Sequence, residues 1–351
     1  MTFKKLLSHL PFKLRSRSHS TMSDSLVFIT GASGYIGTHL IGDVLKAGHR
    51  VRAAVRSEEK GQAIKDLYPS SSDRIEFAVV PDMSQASAYQ NALKGVSYVF
   101  HLAGAMVDKG ADLENDFVNP AVNGTLSILE SAKKEASIQK VAIVSSFVSL
   151  MPLDAVMQKS FHIKANTNES FPVDLKMDFP EGLPGQFLKY QTGKIVGHQA
   201  YRDWINKEKP SFKVVSVHPS QVFGPSLVQK SASDLSGVNF LMWMTLQSDG
   251  PPMTPYMMVD IRDVSRALAR IIDADVPSGT ELPITGPLYT WKQFANFVKS
   301  SYPALDVKFA PQEEPTMTMD MTTTDKLLGV KWTPMEETIR AFVEQQIALS
   351  K

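Results

Sequence analysis

The sequence predicts an α/β fold, a doubly wound parallel sheet with a smaller C-terminal lobe. Three observations carry this. Short β-rich apolar runs recur through the first two thirds of the chain, with helical patterns between them. The stretch SLVFITGASGYIGTHLIGDVLKAGHRVRAAVR sets an apolar run, a glycine-spaced turn, a helical run and a second apolar run in succession. From about Phe223 onward Pro and Gly become frequent and the helical segments shorten.

Taken in order, the apolar runs place strands at 26–30, 50–55, 75–80, 98–102, 140–145 and 214–218. Helical periodicity fills 35–47, 85–93, 122–135 and 193–207 between them, and 290–302 and 335–348 later. The stretch 152–185 is rich in Pro, Asp, Asn and Lys without a clear period, so it reads as a long ordered loop. Residues 1–23 are expected to form a basic extension and 24–222 a nucleotide-binding domain. Residues 223–351 are expected to form mainly a substrate lobe, with 256–274 returning to the first domain.

Composition bounds the function. With 43% hydrophobic and 21% charged residues, the 351-residue chain is close to an average soluble globular protein. Its net charge, 37 − 36 = +1, gives no surplus that would draw nucleic acid. The absence of cysteine excludes disulfides, thiolate metal sites and cysteine nucleophiles, and suits a reducing compartment. No apolar run approaches the roughly 18 residues of a membrane span. The opening segment carries Lys4, Lys5, Lys13, Arg15 and Arg17, with no acid before Asp24. Two readings stand: a mitochondrial presequence, interrupted at Pro11, or a disordered tail of a cytoplasmic protein with Met22 as an alternative start.

Gly31, Gly34 and Gly37 lie directly after an expected strand and open an expected helix. Glycine there lets the backbone turn tightly and approach a pyrophosphate, while the helix N-terminus offers unpaired N–H groups. Ser33, Tyr35 and Ile36 complete the turn. The second strand ends in Arg56, with Lys60 one helical turn on, and no acid stands at its end. An acid would bind the free 2′-hydroxyl of NAD, whereas arginine accommodates the 2′-phosphate of NADP. The expected cofactor is therefore NADP(H).

In KYQTGKIVG, Tyr190 precedes Lys194 by four residues, which places both on one helix face. The pair follows VAIVSSFVSL, where Ser145 and Ser146 end a strand, the position at which such sheets hold ligands. These pieces together resemble the extended short-chain dehydrogenase/reductase family, with a Rossmann-like fold, over roughly 26–338. TGASGYIG, VPDMS, VFHLAGA, NPAVNGT, SSF, YQTGK, VHPSQVFGPS, MMVDIRDVSRA and DKLLGVKWTP fall in the family's order. Within it the chain is most similar to fungal carbonyl and aldehyde (methylglyoxal-type) reductases, relatives of plant dihydroflavonol 4-reductase and cinnamoyl-CoA reductase. The resemblance implies a catalytic Ser146, Tyr190 and Lys194, the second serine being favoured over Ser145. It also implies adenine-side contacts from Asp82 and Met83, a floor of Ala103 and Gly104 under the cofactor, and a nicotinamide-side loop from Pro219 to Val222.

The residue types suit carbonyl reduction. Hydride on carbon leaves a developing alkoxide that needs a proton, and Tyr190 can give it beside the Lys194 ammonium. Lys194 is also expected to hold the nicotinamide ribose, and the Ser146 hydroxyl to orient the carbonyl oxygen. His101 and His218 read as satisfied scaffold histidines, and VDIRDV (Asp260, Arg262, Asp263) as a structural ion-pair turn rather than a metal site. Met242, Trp243, Met244, Met257, Met258 and Phe147 are equally candidates for an apolar pocket and for ordinary core. The expectation is an NADPH-dependent reductase of a ketone or aldehyde in a small, partly apolar molecule, monomeric or homodimeric. Hydroxysteroid dehydrogenase/isomerase-like or nucleotide-sugar epimerase-like chemistry and an NADP-sensing binding protein are the rivals. The first two usually use NAD, and the last lacks the Tyr/Lys pair.

Overall fold

In a computed structural model the protein is described over residues 24–350, apart from 105–106, 108–109, 158–159, 251, 253–255 and 310–315. The basic segment 1–23 lies outside the described residues. The chain begins with β1 (Leu26–Thr30), α1 (Tyr35–Lys46), β2 (Arg50–Val55), α2 (Glu58–Leu67), β3 (Ile75–Val79) and β4 (Tyr98–His101). It continues through α3 (Asn119–Ala132), β5 (Lys140–Val144), β6 (Ser160–Ile163), α4 (Gly182–Glu208), β7 (Lys213–Pro219) and β8 (Gln221–Phe223). Then come α5 (Gly237–Gln247), β9 (Met258–Asp260), α6 (Ile261–Arg270) and β10 (Glu281–Ile284). The last elements are α7 (Trp291–Ser301), β11 (Thr316–Met319), α8 (Thr322–Leu328) and α9 (Met335–Leu349).

Seven strands form one parallel sheet in the order β10-β7-β5-β4-β1-β2-β3. The order reverses between β1 and β4, so a crevice opens beyond their carboxyl ends, at Thr30–Gly31 and His101–Gly104. Alternation within β1 serves both faces. Val27 and Ile29 join the layer of α1 and α6, whereas Leu26 and Phe28 join that of α3 and α4. Lys140 is buried at the start of β5, where its ammonium donates to the carbonyls of Ile271, Ile272 and Ala274 at the end of α6. A helix C-terminus, with its free carbonyls, suits a cation.

A second core gathers Phe223, Met242, Trp291, Phe294, Phe309 and Phe342 from the C-terminal elements. VDIRDV joins the two cores as expected. Asp260 caps α6 by accepting from the Arg262 amide at 2.7 Å and binds its guanidinium at 2.6 Å, while its other contact is the Thr338 hydroxyl. Asp263 takes the Thr333 amide and hydroxyl and pairs with Arg266; burial pushes its carboxyl upward against these hydrogen bonds.

Four expectations need revision. The helix expected at 85–93 is only a short 3-10 turn at Ala86–Tyr89, because the Asp82 carboxylate takes the Ser84 amide and hydroxyl and the Gln85 side chain. The helix expected from 193 starts eleven residues earlier, at Gly182, where a φ of 73° makes the turn and Pro184 fits the first helical turn. The stretch 152–185 is not all loop: β6 pairs in parallel with β11. Finally, β10 enters the large sheet, so the returning segment runs past 274 to Ile284.

Candidate active site

The glycine turn is built by close approach. Gly31 has φ 65°, and a Cβ there would lie 3.0 Å from the Ala103 amide nitrogen, so the turn after β1 presses on the strand end after β4. Thr30 Oγ1 locks the two together by accepting from the Leu102 and Ala103 amides, each at 3.1 Å, and meets His101 Nδ1 at 2.9 Å. A Cβ on Gly37 would come 2.3 Å from the Gly31 carbonyl, which fixes α1 against the turn. Gly34 caps α1 without a side-chain bond, and no acid occupies its first turn, so amide donors there face no competing side chain. The Tyr35 hydroxyl donates to the Gly224 carbonyl at 2.9 Å, so this side chain ties the lobes together and leaves only its amide for a phosphate. Ser33 is half-buried at the turn and Ile36 packs on the core.

Arg56 and Lys60 are exposed just past β2, and among the described residues neither has an ion-pair partner. Both remain available to a phosphate. Asp82 sits exposed after β3, its carboxyl held low first by the Ser84 hydroxyl; Met83 packs on the core beside it. Pro219 ends β7 and Val222 packs against the core in β8.

Tyr190 and Lys194 lie in the third and fourth turns of α4, with the Lys194 ammonium 5.5 Å from the Tyr190 ring centre. Two glycines one turn apart bring them in. A Cβ on Gly193 would stand 2.8 Å from the Phe117 carbonyl, and one on Gly197 3.0 Å from Ala121 Cβ. Gln191 fastens the other side of α4 to the carbonyls of Val148, Met151 and Pro152. Lys194 Nζ then stands 3.5 Å from where a Gly104 Cβ would be, directly over the floor expected for the cofactor. Tyr190, Lys194, Ala103, Gly104, Ser145 and His101 line one small cavity of about 30 Å³.

Ser146 is buried at the end of β5 and does not line that cavity, whereas the half-buried Ser145 does. Hydrogen-bond direction separates the two. Ser145 Oγ donates inward to Ser149 Oγ at 3.3 Å, toward the core rather than into the cavity. His101 is fully buried; desolvation first, and the Lys194 charge second, hold its pKa down at about 4. It is neutral and scaffold-bound, as expected. His218 is likewise buried, its pKa held at about 3 by desolvation and then by neighbouring His198. Phe147 and Met257 belong to the apolar cluster against which Tyr190 packs, together with Met151, Met317 and Met319. Met242 and Met258 are second-lobe core, Trp243 packs against it, and Met244 is exposed. A larger cavity of about 330 Å³, between Trp243–Gln247 and Leu305–Lys308, touches none of the catalytic candidates.

Sequence reasoning missed what positions α4: Gln191, the Gly193/Gly197 pair and the buried His198–Glu281 contact at 2.8 Å. The two glycines were visible in TGKIVG, but their partners Phe117 and Ala121 were not adjacent in sequence.

The sequence matches the NAD dependent epimerase/dehydratase family across residues 27–282. The chain belongs to that family. Ketoreductase sphI of Aspergillus fumigatus is 32% identical over 336 residues, covering 93% of this chain and 98% of that protein. The NADPH-dependent methylglyoxal reductase GRE2 of Saccharomyces cerevisiae is 25% identical, covering 89% and 95%. The crystal structure of Gre2 from Candida albicans in complex with NADPH has the same fold, with a TM-score of 0.81, 22% identity and coverage of 93% and 100%. Among the described residues, no helix of this family member is long and apolar enough to cross a membrane.

Proposed function

We propose that this protein is an NADPH-dependent reductase that converts a ketone or aldehyde of a small, partly apolar molecule to an alcohol. The observation that carries the reading is the placement of Tyr190 and Lys194 over the Ala103–Gly104 floor, beside the glycine turn of α1. The names of the relatives support the coarser statement, carbonyl reduction with NADPH.

When bound, NADPH supplies the hydride that adds to the carbonyl carbon. The chain's own residues do the rest. The Tyr190 hydroxyl gives its proton to the carbonyl oxygen as the C=O electron pair moves there, leaving an alcohol and a phenolate. Lys194, a half-buried cation one helical turn away, offsets that negative charge. Ser146 is assigned the hydrogen bond to the same oxygen, since the hydroxyl of Ser145 donates inward to Ser149. The amides of Ser33, Tyr35, Ile36 and Gly37 at the start of α1 receive the pyrophosphate, that of Gly34 being taken by the Gly31 carbonyl, and Arg56 with Lys60 the 2′-phosphate. The methionine-rich cluster beside Tyr190 suits an apolar substrate, because thioethers adapt to varied shapes.

One experiment tests both halves. Absorbance at the reduced nicotinamide band is followed with methylglyoxal, an aliphatic keto ester and an aryl ketone, using NADPH or NADH. Arg56→Asp is run alongside. Turnover with NADPH should exceed that with NADH, and the substitution should weaken NADPH at least about tenfold by removing a charge-assisted contact. No oxidation of NADPH by any carbonyl, or unchanged NADPH affinity in the variant, overturns the reading.

A further inference from the structure

A buried polar chain runs beneath the end of β5, and the reading above does not use it. His218 lies on β7 with no solvent exposure. Its Nδ1 faces two oxygens, the Ser149 hydroxyl at 3.0 Å and the Ser146 backbone carbonyl at 3.2 Å. Its Nε2 meets the Ser216 hydroxyl at 2.8 Å and, farther off, the Tyr201 hydroxyl at 3.5 Å. Ser149 itself donates to the Ser146 carbonyl at 2.7 Å.

Satisfying every partner selects one arrangement of protons. A carbonyl only accepts, so an unprotonated Nδ1 would face the Ser146 oxygen with lone pair against lone pair. The Ser149 proton is already spent on that carbonyl. Nδ1 must therefore carry the hydrogen, and Nε2 must accept from Ser216. Ser149, with its proton so engaged, has lone pairs free to take the hydroxyl of Ser145. The Ser146 carbonyl thus has two side-chain donors from beneath, besides the Ser149 amide that closes the 3-10 turn on it at 3.1 Å. Its residue lies past the end of β5 and just before the 3-10 turn Phe147–Leu150, so these bonds, not strand pairing, set its orientation.

We propose that His218 is a positioning residue for carbonyl reduction: its Nδ1–H, together with the Ser149 hydroxyl, fixes the Ser146 backbone so that the Ser146 side chain points at the substrate oxygen. The same grip turns the Ser145 hydroxyl away. This rests on the assignment of Ser146 as the carbonyl's hydrogen-bond donor. A displacement of about 1 Å in such a donor costs on the order of a hundredfold in rate. Substrate and cofactor affinity need not change with it.

Two substitutions of one residue separate positioning from packing. The amide nitrogen of His218→Asn reaches the place of Nδ1 and keeps the donor to Ser146. The amide of His218→Gln reaches the place of Nε2 and keeps only the contacts of that side, with Ser216 and Tyr201. The full chain is assayed with NADPH and the best carbonyl of the panel, alongside NADPH binding and melting temperature. The expected result is that His218→Gln loses tenfold or more in kcat with KM and NADPH affinity little changed, roughly in line with a lost donor. His218→Asn should recover to within about threefold of wild type. Ser149→Ala, a smaller change for a protein that does not tolerate substitution at 218, should lower kcat in the same manner. Equal kcat in the Asn and Gln variants, or a loss that follows melting temperature, overturns the proposal while leaving wild-type turnover intact. Absence of turnover in the wild type instead removes the reading on which it rests.

Discussion

At the scale of single residues, the site depends on histidines that stay neutral. His101 and His218 are both buried, with folded pKa values of about 4 and about 3 against 6.5 in the open chain. The unfolded state therefore binds protons more readily in this window. Stability from each is complete above pH 6.5 and is lost as pH falls toward the folded values. At pH 5, 1.5 units below the unfolded value, each should cost about 2 kcal/mol. Glu281, held at about 2 despite burial by the hydrogen bond and charge of His198, adds a loss of the same sign below 4.5. Urea unfolding at pH 7.5 and pH 5.0 should show the drop, and a flat profile would contradict the burial of these rings as neutral groups. Their type was legible in VFHLAGA and SVHPS, because a histidine closing an apolar run is enclosed by the sheet. The inward donation of Ser145 was not legible, since its acceptor Ser149 belongs to a turn that local pattern does not specify.

At the scale of elements, α4 reaches the site because two glycines let it touch α3 and the turn before it. Gly193→Ala would push a methyl against the Phe117 carbonyl at 2.8 Å. Backbone cannot step aside as a flexible side chain can, and overpacking of this kind costs about 1–3 kcal/mol. Helix propensity returns at most about 1 kcal/mol for glycine to alanine. The clash wins, so the variant should be less stable and less active. Gly124, inside α3, offers the contrast: a Cβ there meets nothing within 4 Å. Gly124→Ala should stabilise by about 0.5–1 kcal/mol, and chemical denaturation of the two variants checks both signs. The other six strands of the large sheet were legible because each carries an apolar, β-rich run. Strand β10 was not: ELPI is short and contains both Glu281 and a proline, and its carboxylate is accommodated by Asn166 and His198 from other elements. The start of α4 was hidden for a similar reason, since its first turn, GLPG, carries two glycines and a proline and resembles the loop before it.

At the scale of the whole molecule, the topology gathers what the sequence scatters. The glycine turn comes from the end of β1, the floor from β4, the serines from β5 and the tyrosine–lysine pair from α4; β1 and β4 are neighbours only because the strand order reverses between them. The C-terminal lobe is tied to this crevice at the cofactor end by Tyr35, whose hydroxyl bonds Gly224, with Asn239 on the same carbonyl. The motifs made the glycine turn, the end of β4 and the Tyr190–Lys194 pair readable in advance. The apolar cluster against which Tyr190 packs was not, because it comes from β6, β11 and the residues near Met257, segments far apart in sequence with no shared pattern. The central claim is that this assembly delivers a proton from Tyr190 to a reduced carbonyl. Single-turnover oxidation of bound NADPH by the best carbonyl substrate, in wild type and Tyr190→Phe, tests it most directly. The substitution keeps the ring and its packing, so NADPH should bind as before while the rate falls by roughly 10²–10⁴. A Tyr190→Phe protein that binds NADPH and keeps more than about a tenth of the wild-type rate would contradict the account.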